Sequence, residues 1–283
     1  MTQDGRIRLV VTDIDGTLLD PAGRLSEEAL AMLRRVSTGG ATICLATSRR
    51  WIGAHPVAEE LGLSCPLILY DGAITRQYPS GATLASHPLE RDAAHEAAVA
   101  LAAHGLRPIA QYTGPAGESM RTIPADPGTD YAARFVERFQ QQLQIVPLDA
   151  LTQGHDTLLR VVAFAPHDLL REIANSFNDP RLGTQFLEMG GYAMAEMTCF
   201  APGASKGAAL LALAERLAIP VAETFAIGDG LNDTSMLKAA GVTVAMAGAP
   251  PSVLAAAQFV TSSNDEEGFA RALAVHVLPH IVQ

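Results

Sequence analysis

The sequence predicts an α/β fold, a parallel-sheet core interrupted by an α+β insertion, and three observations lead to it. Short apolar runs ending near residues 12, 46 and 70 alternate with helical stretches, and each runs out into a polar loop, the layout of parallel strands with helical crossovers. The same alternation resumes after residue 206. Between the two, an Ala-rich helix, Gly/Pro punctuation and a hairpin-like pair of apolar runs break the pattern. The expected division is a core of residues 1–76 and 196–283 around an inserted domain of 77–195.

Taken in order, Arg6 to Thr12 carries Ile7, Leu9, Val10 and Val11 and reads as a buried strand. Asp20-Pro21-Ala22-Gly23 turns the chain into a helix that Ser26 can cap, with Glu27 and Glu28 in its first turn and Gly39-Gly40 past its end. Thr42 to Ala46 is the second strand, and it delivers Thr47-Ser48-Arg49 to a loop. Pro56 fits the first turn of a helix ending at Leu61, with Gly62 beyond it. Leu67 to Tyr70 is the third strand, running into Asp71-Gly72-Ala73.

The insertion should hold helices at Arg91 to His104, Tyr131 to Gln141 and Asp168 to Phe177, with a Gly/Pro-rich stretch from Gly114 to Gly128. Apolar runs at Pro108 to Tyr112 and Leu158 to Phe164, and a hairpin of Phe186 to Met189 with Tyr192 to Met197 around Gly190-Gly191, supply its β content. The core then returns with a helix from Lys206 to Leu217, a strand Thr224 to Ile227, a helix Thr234 to Ala240, a strand Val242 to Met246 and a helix near Ser252 to Ala257.

Composition narrows the function classes. The 283 residues carry 20 basic and 30 acidic side chains, a formal net charge of -10, and no Lys/Arg-rich run, so binding to nucleic acid or to an anionic membrane by phosphate neutralisation is not expected. A hydrophobic fraction of 48% supports a packed core. Asp4, Arg6 and Arg8 follow the N-terminus without an apolar leader, and no apolar stretch is long enough to span a bilayer, so the expected location is cytoplasmic. Cys44, Cys65 and Cys199 lack metal-site spacing and read as reduced core thiols.

The chemistry gathers at strand ends. Asp13-Ile14-Asp15-Gly16-Thr17 closes the first strand, and residues two apart on an extended chain point to one side, so both carboxylates can face one space. Like charges there call for a cation or a shared proton, and a hard cation such as Mg²⁺ beside a nucleophilic carboxylate satisfies them. An acidic exit from strand to turn is the plain alternative.

Gly228-Asp229-Gly230-Leu231-Asn232-Asp233 brings two more carboxylates and an amide to another strand end, where Asp229 can complete a cation site with Asp13 and the Asp15 carbonyl. It can also be an ordinary Gly-rich turn, while the calcium-loop pattern is not satisfied. Lys206 opens a helix against the macrodipole, which hints that its ammonium serves something else, although a solvated lysine is the default. No Walker phosphate loop surrounds it. At Thr47 a hydroxyl and a backbone N–H can bind a phosphoryl oxygen, or the residue can be a simple cap.

These motifs together resemble the haloacid dehalogenase (HAD) superfamily, Cof-type phosphatase branch. Asp13 to Thr17 matches its D-x-D-G-T motif, Ala46-Thr47-Ser48-Arg49 its A-T-G-R, Lys206 its lysine motif and residues 228–233 its G-D-x-x-N-D. The resemblance spans most of 7–76 and 197–273. It implies a Rossmann-like HAD core with the insertion as a cap, and Mg²⁺ as cofactor.

By the same resemblance the catalytic residues are Asp13, Asp15, Thr47 and Lys206. Phosphate contacts would come from Thr47, Ser48, Lys206 and Asn232, and metal contacts from Asp13, Asp15, Asp229 and Asp233. Asp229 would bind Mg²⁺, and Asp233 would hold the metal waters and the lysine. Three departures stand out: Ser48 replaces the usual Gly, Asp71 the usual Asn of N-G-A, and Val244 to Ala249 lacks the Asn of V-A-M-G-N-A.

The function expected is Mg²⁺-dependent hydrolysis of a small phosphorylated metabolite, a sugar phosphate, nucleotide or cofactor phosphate, through an aspartyl phosphate on Asp13. Arg49, Arg121 and Glu188 are candidate substrate contacts. Asp15 argues against a dehalogenase, which has no acid there, and against a P-type ATPase, which has D-K-T-G-T. A phosphomutase or phosphotransferase differs only in the acceptor and stays open. A non-catalytic metabolite-binding regulator would be expected to have lost one of Asp13, Asp15, Lys206, Asp229 or Asp233, yet all are present.

Overall fold

The computed structural model describes residues 5–125, 130–177, 179–189 and 194–281. The chain begins with β1 (Leu9–Thr12), α1 (Glu27–Thr38), β2 (Thr42–Ala46), α2 (Trp51–Leu61), β3 (Pro66–Leu69), β4 (Ile74–Gln77) and β5 (Thr83–Ser86). Ser26 caps α1 by accepting from the Ala29 N–H at 3.1 Å. Helix α2 starts at Trp51, so Pro56 lies inside it rather than in its first turn. Burial of Ala54, Val57, Ala58 and Leu61 on one face outweighs the proline, whose missing N–H falls opposite the exposed Ile52.

The chain continues through α3 (Arg91–Ala103), β6 (Ile109–Gly114), β7 (Gly117–Thr122), α4 (Ala133–Arg138), β8 (Leu143–Ile145), β9 (Thr157–Ala165), α5 (His167–Ser176), β10 (Gly183–Met189) and β11 (Met194–Phe200). It closes with α6 (Lys206–Arg216), β12 (Thr224–Gly228), α7 (Thr234–Ala239), β13 (Val242–Ala245), α8 (Pro251–Leu254), β14 (Phe259–Val260) and α9 (Gly268–His276).

Two compact units result, divided at Ser86/His87 and at Ala204/Ser205. Composition had placed the junctions at 76/77 and 195/196. The opening segment of the first unit runs further because β4 pairs antiparallel with β3, and β5 with β4, beyond the polar break at residue 76. The second unit keeps all of β11, whose ladder with β9 and β10 continues to Phe200.

In the first unit one eight-stranded sheet has the order β14-β13-β12-β1-β2-β3-β4-β5, parallel from β14 to β3. Strands β1 and β3 are buried along their whole length, which is why they read as unbroken apolar runs. Leu9, Val11, Cys44, Ile68, Leu210, Leu213 and Ala226 share one core cluster that fastens α6 to the sheet.

In the second unit a six-stranded sheet, β10-β11-β9-β6-β7-β8, carries α3 and α5, and Ala97 and Leu101 of α3 share a core cluster with Tyr112, Val161 and Met197 of the sheet and Leu170 and Ile173 of α5. Phe135 of α4 packs over Phe164 on the other face. The β6–β7 hairpin occupies part of the Gly/Pro-rich stretch from Gly114, where Met120 and Thr122 bury alternate positions. The Gly190-Gly191 turn lies outside the described residues. All three cysteines are buried and unpaired, and burial pushes the Cys65 thiol up to about 12. Among the described residues no helix is long and apolar enough to cross a membrane.

Leu210→Ala empties a fully buried position where α6 meets the sheet. It is expected to lower stability by about 2–5 kcal/mol, read as a drop in the urea unfolding midpoint.

Candidate active site

Parallel strands send their carboxyl ends to one edge, and β1 lies between β12 and β2. Thr12 pairs with Ile227, and the Asp13 N–H continues that ladder to the Ile227 carbonyl at 3.0 Å. Asp13 therefore emerges beside Gly228-Asp229, although 216 positions separate Asp13 from Asp229 (229 − 13). On the other side the Thr47 N–H bonds the Ile68 carbonyl, placing the loops after β2 and β3 next to one another.

Lys206, the first residue of α6, is fully buried. Its Nζ donates to Asp13 Oδ1 at 2.6 Å and to Asp233 Oδ1 at 2.6 Å. The sequence default of a solvated lysine is thereby replaced by a buried bridge. Burial works against the ammonium, but Asp13, Asp233 and Asp71 outweigh it and raise the Lys206 pKa, so the charge persists. Burial pushes the Asp13 carboxyl well above the usual carboxylate range, with Lys206 opposing it and Asp233 adding to it. Asp233 also accepts from the N–H groups of Asp229 and Gly230, at 3.0 and 2.8 Å, through Oδ2.

Asp229 is aimed by Thr17, whose hydroxyl donates to its Oδ1 at 2.7 Å. Burial raises the Asp229 pKa, the Thr17 hydrogen bond opposing. Gly16, at φ +81°, leaves room for this carboxylate, since a Cβ there would stand 2.3 Å from Asp229 Oδ2. Asp13, Asp229 and Asp233 each present an oxygen within 4.8 Å of the others, an acidic cluster that could hold a metal ion. Three carboxylates around one ammonium leave an excess of negative charge, and the all-oxygen donor set suits a hard cation.

The Asp15 carboxylate stands outside that cluster. Strand β1 ends at Thr12 and the chain turns from Ile14 onward, so the period-two alternation that would have put Asp13 and Asp15 in one space is not continued. Asp15 instead faces Arg49, with Nε donating to Oδ2 at 2.7 Å and a terminal N–H to Oδ1.

Thr47 is buried and is not a helix cap, since α2 is entered through Arg50. Its Oγ1 accepts from the Arg49 N–H at 3.1 Å, which leaves the hydroxyl hydrogen to donate. Ser48 is half-buried and avoids the left-handed region, so its side chain needs no glycine-like backbone. Asp71 does adopt that region, at φ +56°, where Asp is among the better tolerated residues. The Asn232 amide donates to Asp71 Oδ1 at 2.9 Å, a pairing that sequence motifs did not reveal. Arg121 is turned into its own unit, donating to the Gln153 carbonyl and lying 5.0 Å over the Tyr112 ring. The Glu188 side chain lies outside what is described.

The family model for haloacid dehalogenase-like hydrolases matches residues 10–273. Phosphatase YwpJ of Bacillus subtilis is 27% identical, covering 98% of this chain and 100% of its own. Pyridoxal phosphate phosphatase YbhA of Escherichia coli is 27% identical over 96% of this chain and 99% of its own. The structure of BT1666 from Bacteroides thetaiotaomicron shares the fold with a TM-score of 0.80 at 20% identity, covering 98% of this chain and 97% of that one.

Lys206→Met leaves Asp13 and Asp233 buried without their cation and is expected to cost about 3–5 kcal/mol near neutral pH. A carboxyl raised by burial binds its proton more readily folded than unfolded, so the deficit should shrink as pH falls toward the ordinary carboxylate range. Thermal midpoints of parent and variant across that pH range check both statements.

Proposed function

The chain belongs to the haloacid dehalogenase-like hydrolase family, and from that premise we propose that it is a Mg²⁺-dependent phosphatase of small phosphorylated metabolites that works through an aspartyl phosphate, with the inserted unit as its cap. The observation that carries this reading is the buried Asp13, held at one oxygen by Lys206 beside the Asp229 and Asp233 carboxylates. Lys206 occupies Asp13 Oδ1, which leaves the other oxygen to attack phosphorus.

In the first half-reaction an Asp13 oxygen bonds to phosphorus as the bond to the leaving oxygen breaks. The leaving oxygen keeps the electron pair and takes a proton from Asp15. In the second, Asp15 accepts a proton from water, the water oxygen bonds to phosphorus, and Asp13 is released with inorganic phosphate. Thr47 and Lys206 face the phosphoryl oxygens and offset their charge. Asp13 and Asp229, with the Asp15 carbonyl, would hold Mg²⁺, and Asp233 would keep Lys206 and the metal waters in place. The bound ion supplies charge neutralisation to the transferring group. The relative named for pyridoxal phosphate supports a phosphorylated cofactor or metabolite as substrate.

Phosphate release from a panel of sugar phosphates, nucleotides and cofactor phosphates, with and without Mg²⁺, tests the reading. Metal-dependent release is expected in the parent and none above background in Asp13→Asn. Release unaffected by that substitution would refute it.

A further inference from the structure

We propose that Arg49 is the positioning residue for Asp15, holding its carboxylate where it exchanges a proton with the leaving oxygen. The inference rests on the phosphatase reading above and adds a residue to it. The Asp15 side chain is 57% exposed and sits on a turn, where a lone carboxylate would sample several rotamers. Arg49 removes that freedom with a two-pronged fork on both oxygens.

The fork is itself fastened. The remaining terminal nitrogen donates to the Gly53 carbonyl in α2 at 2.9 Å, and the Arg49 backbone N–H donates to Thr47 Oγ1 at 3.1 Å. Asp15 is therefore tied to the first turn of a helix and to the loop assigned to the phosphoryl group. Exposed ion pairs contribute little to stability, so the anchoring points to orientation rather than to the fold. The Arg49 guanidinium is committed to Asp15 and to Gly53, so Arg49 acts through Asp15 rather than as the direct substrate contact expected of it from sequence. When Asp15 carries the proton, one oxygen becomes the O–H that donates to the leaving oxygen, and the other can still accept from Arg49. Once the proton has left, both prongs close again.

Leaving groups separate this role from a structural one. p-Nitrophenolate departs without a proton, whereas the benzyl alkoxide needs one, so kcat/KM for p-nitrophenyl phosphate and benzyl phosphate reports proton delivery up to P–O cleavage. Arg49→Ala is expected to lose roughly 10-fold or more on benzyl phosphate beyond any loss on p-nitrophenyl phosphate. Arg49→Lys, which cannot form the fork, should recover part of that difference. In an Asp15→Asn background Arg49→Ala should add no further loss on benzyl phosphate. Equal losses on both substrates, or additive losses with Asp15→Asn, would overturn the inference while leaving the phosphatase reading in place. A folded parent that releases phosphate from no substrate would remove both.

Discussion

The ammonium of Lys206, buried between Asp13 and Asp233, is the interaction on which the rest of the site depends. A fully buried cation at the start of a helix has the macrodipole and desolvation against it, so both carboxylates must be present when α6 docks. That requirement ties together the end of β1, the start of α6 and the turn after β12. Glycines make the approach possible: a Cβ on Gly207 would stand 2.3 Å from the Ser235 carbonyl oxygen, and one on Gly72 2.2 Å from that of Ser205.

The sheet order does the remaining work. With β12, β1, β2 and β3 side by side and parallel, the residues following each strand share one edge. Asp229, Asp13, Thr47 and Asp71 come from four separate loops yet need only short turns to reach it. A chain that leaves the first unit at Ser86 and returns at Ser205 does not disturb this, because β12 pairs directly with β1.

Two aspartates two positions apart receive opposite surroundings. Asp13 is buried against a cation and other carboxylates, while Asp15 is exposed and forked by a guanidinium. In the mechanism we propose, that difference in environment suits one carboxylate to attack and the other to carry the proton. The strand ends at Thr12 and the chain is already turning at Ile14, so Asp15 does not share the space of Asp13.

Much of this was legible from local pattern. Apolar runs marked β1, β2, β3, β12 and β13 because strands buried on both faces are largely apolar, and Ser26 announced its helix by capping chemistry. Less legible were β4 and β5, whose burial follows no strong period, β7, where only Met120 and Thr122 are buried, and α2, where packing overrides the proline. By itself the sequence determined the fold class, the strand-end position of the motifs and the family, since those depend on residue type and spacing along the chain. Only the tertiary structure decided that Lys206 is buried, that Asn232 turns to Asp71 and that Arg49 holds Asp15. Each of those is a contact between residues distant in sequence, and its geometry exists only after the strands have been brought side by side.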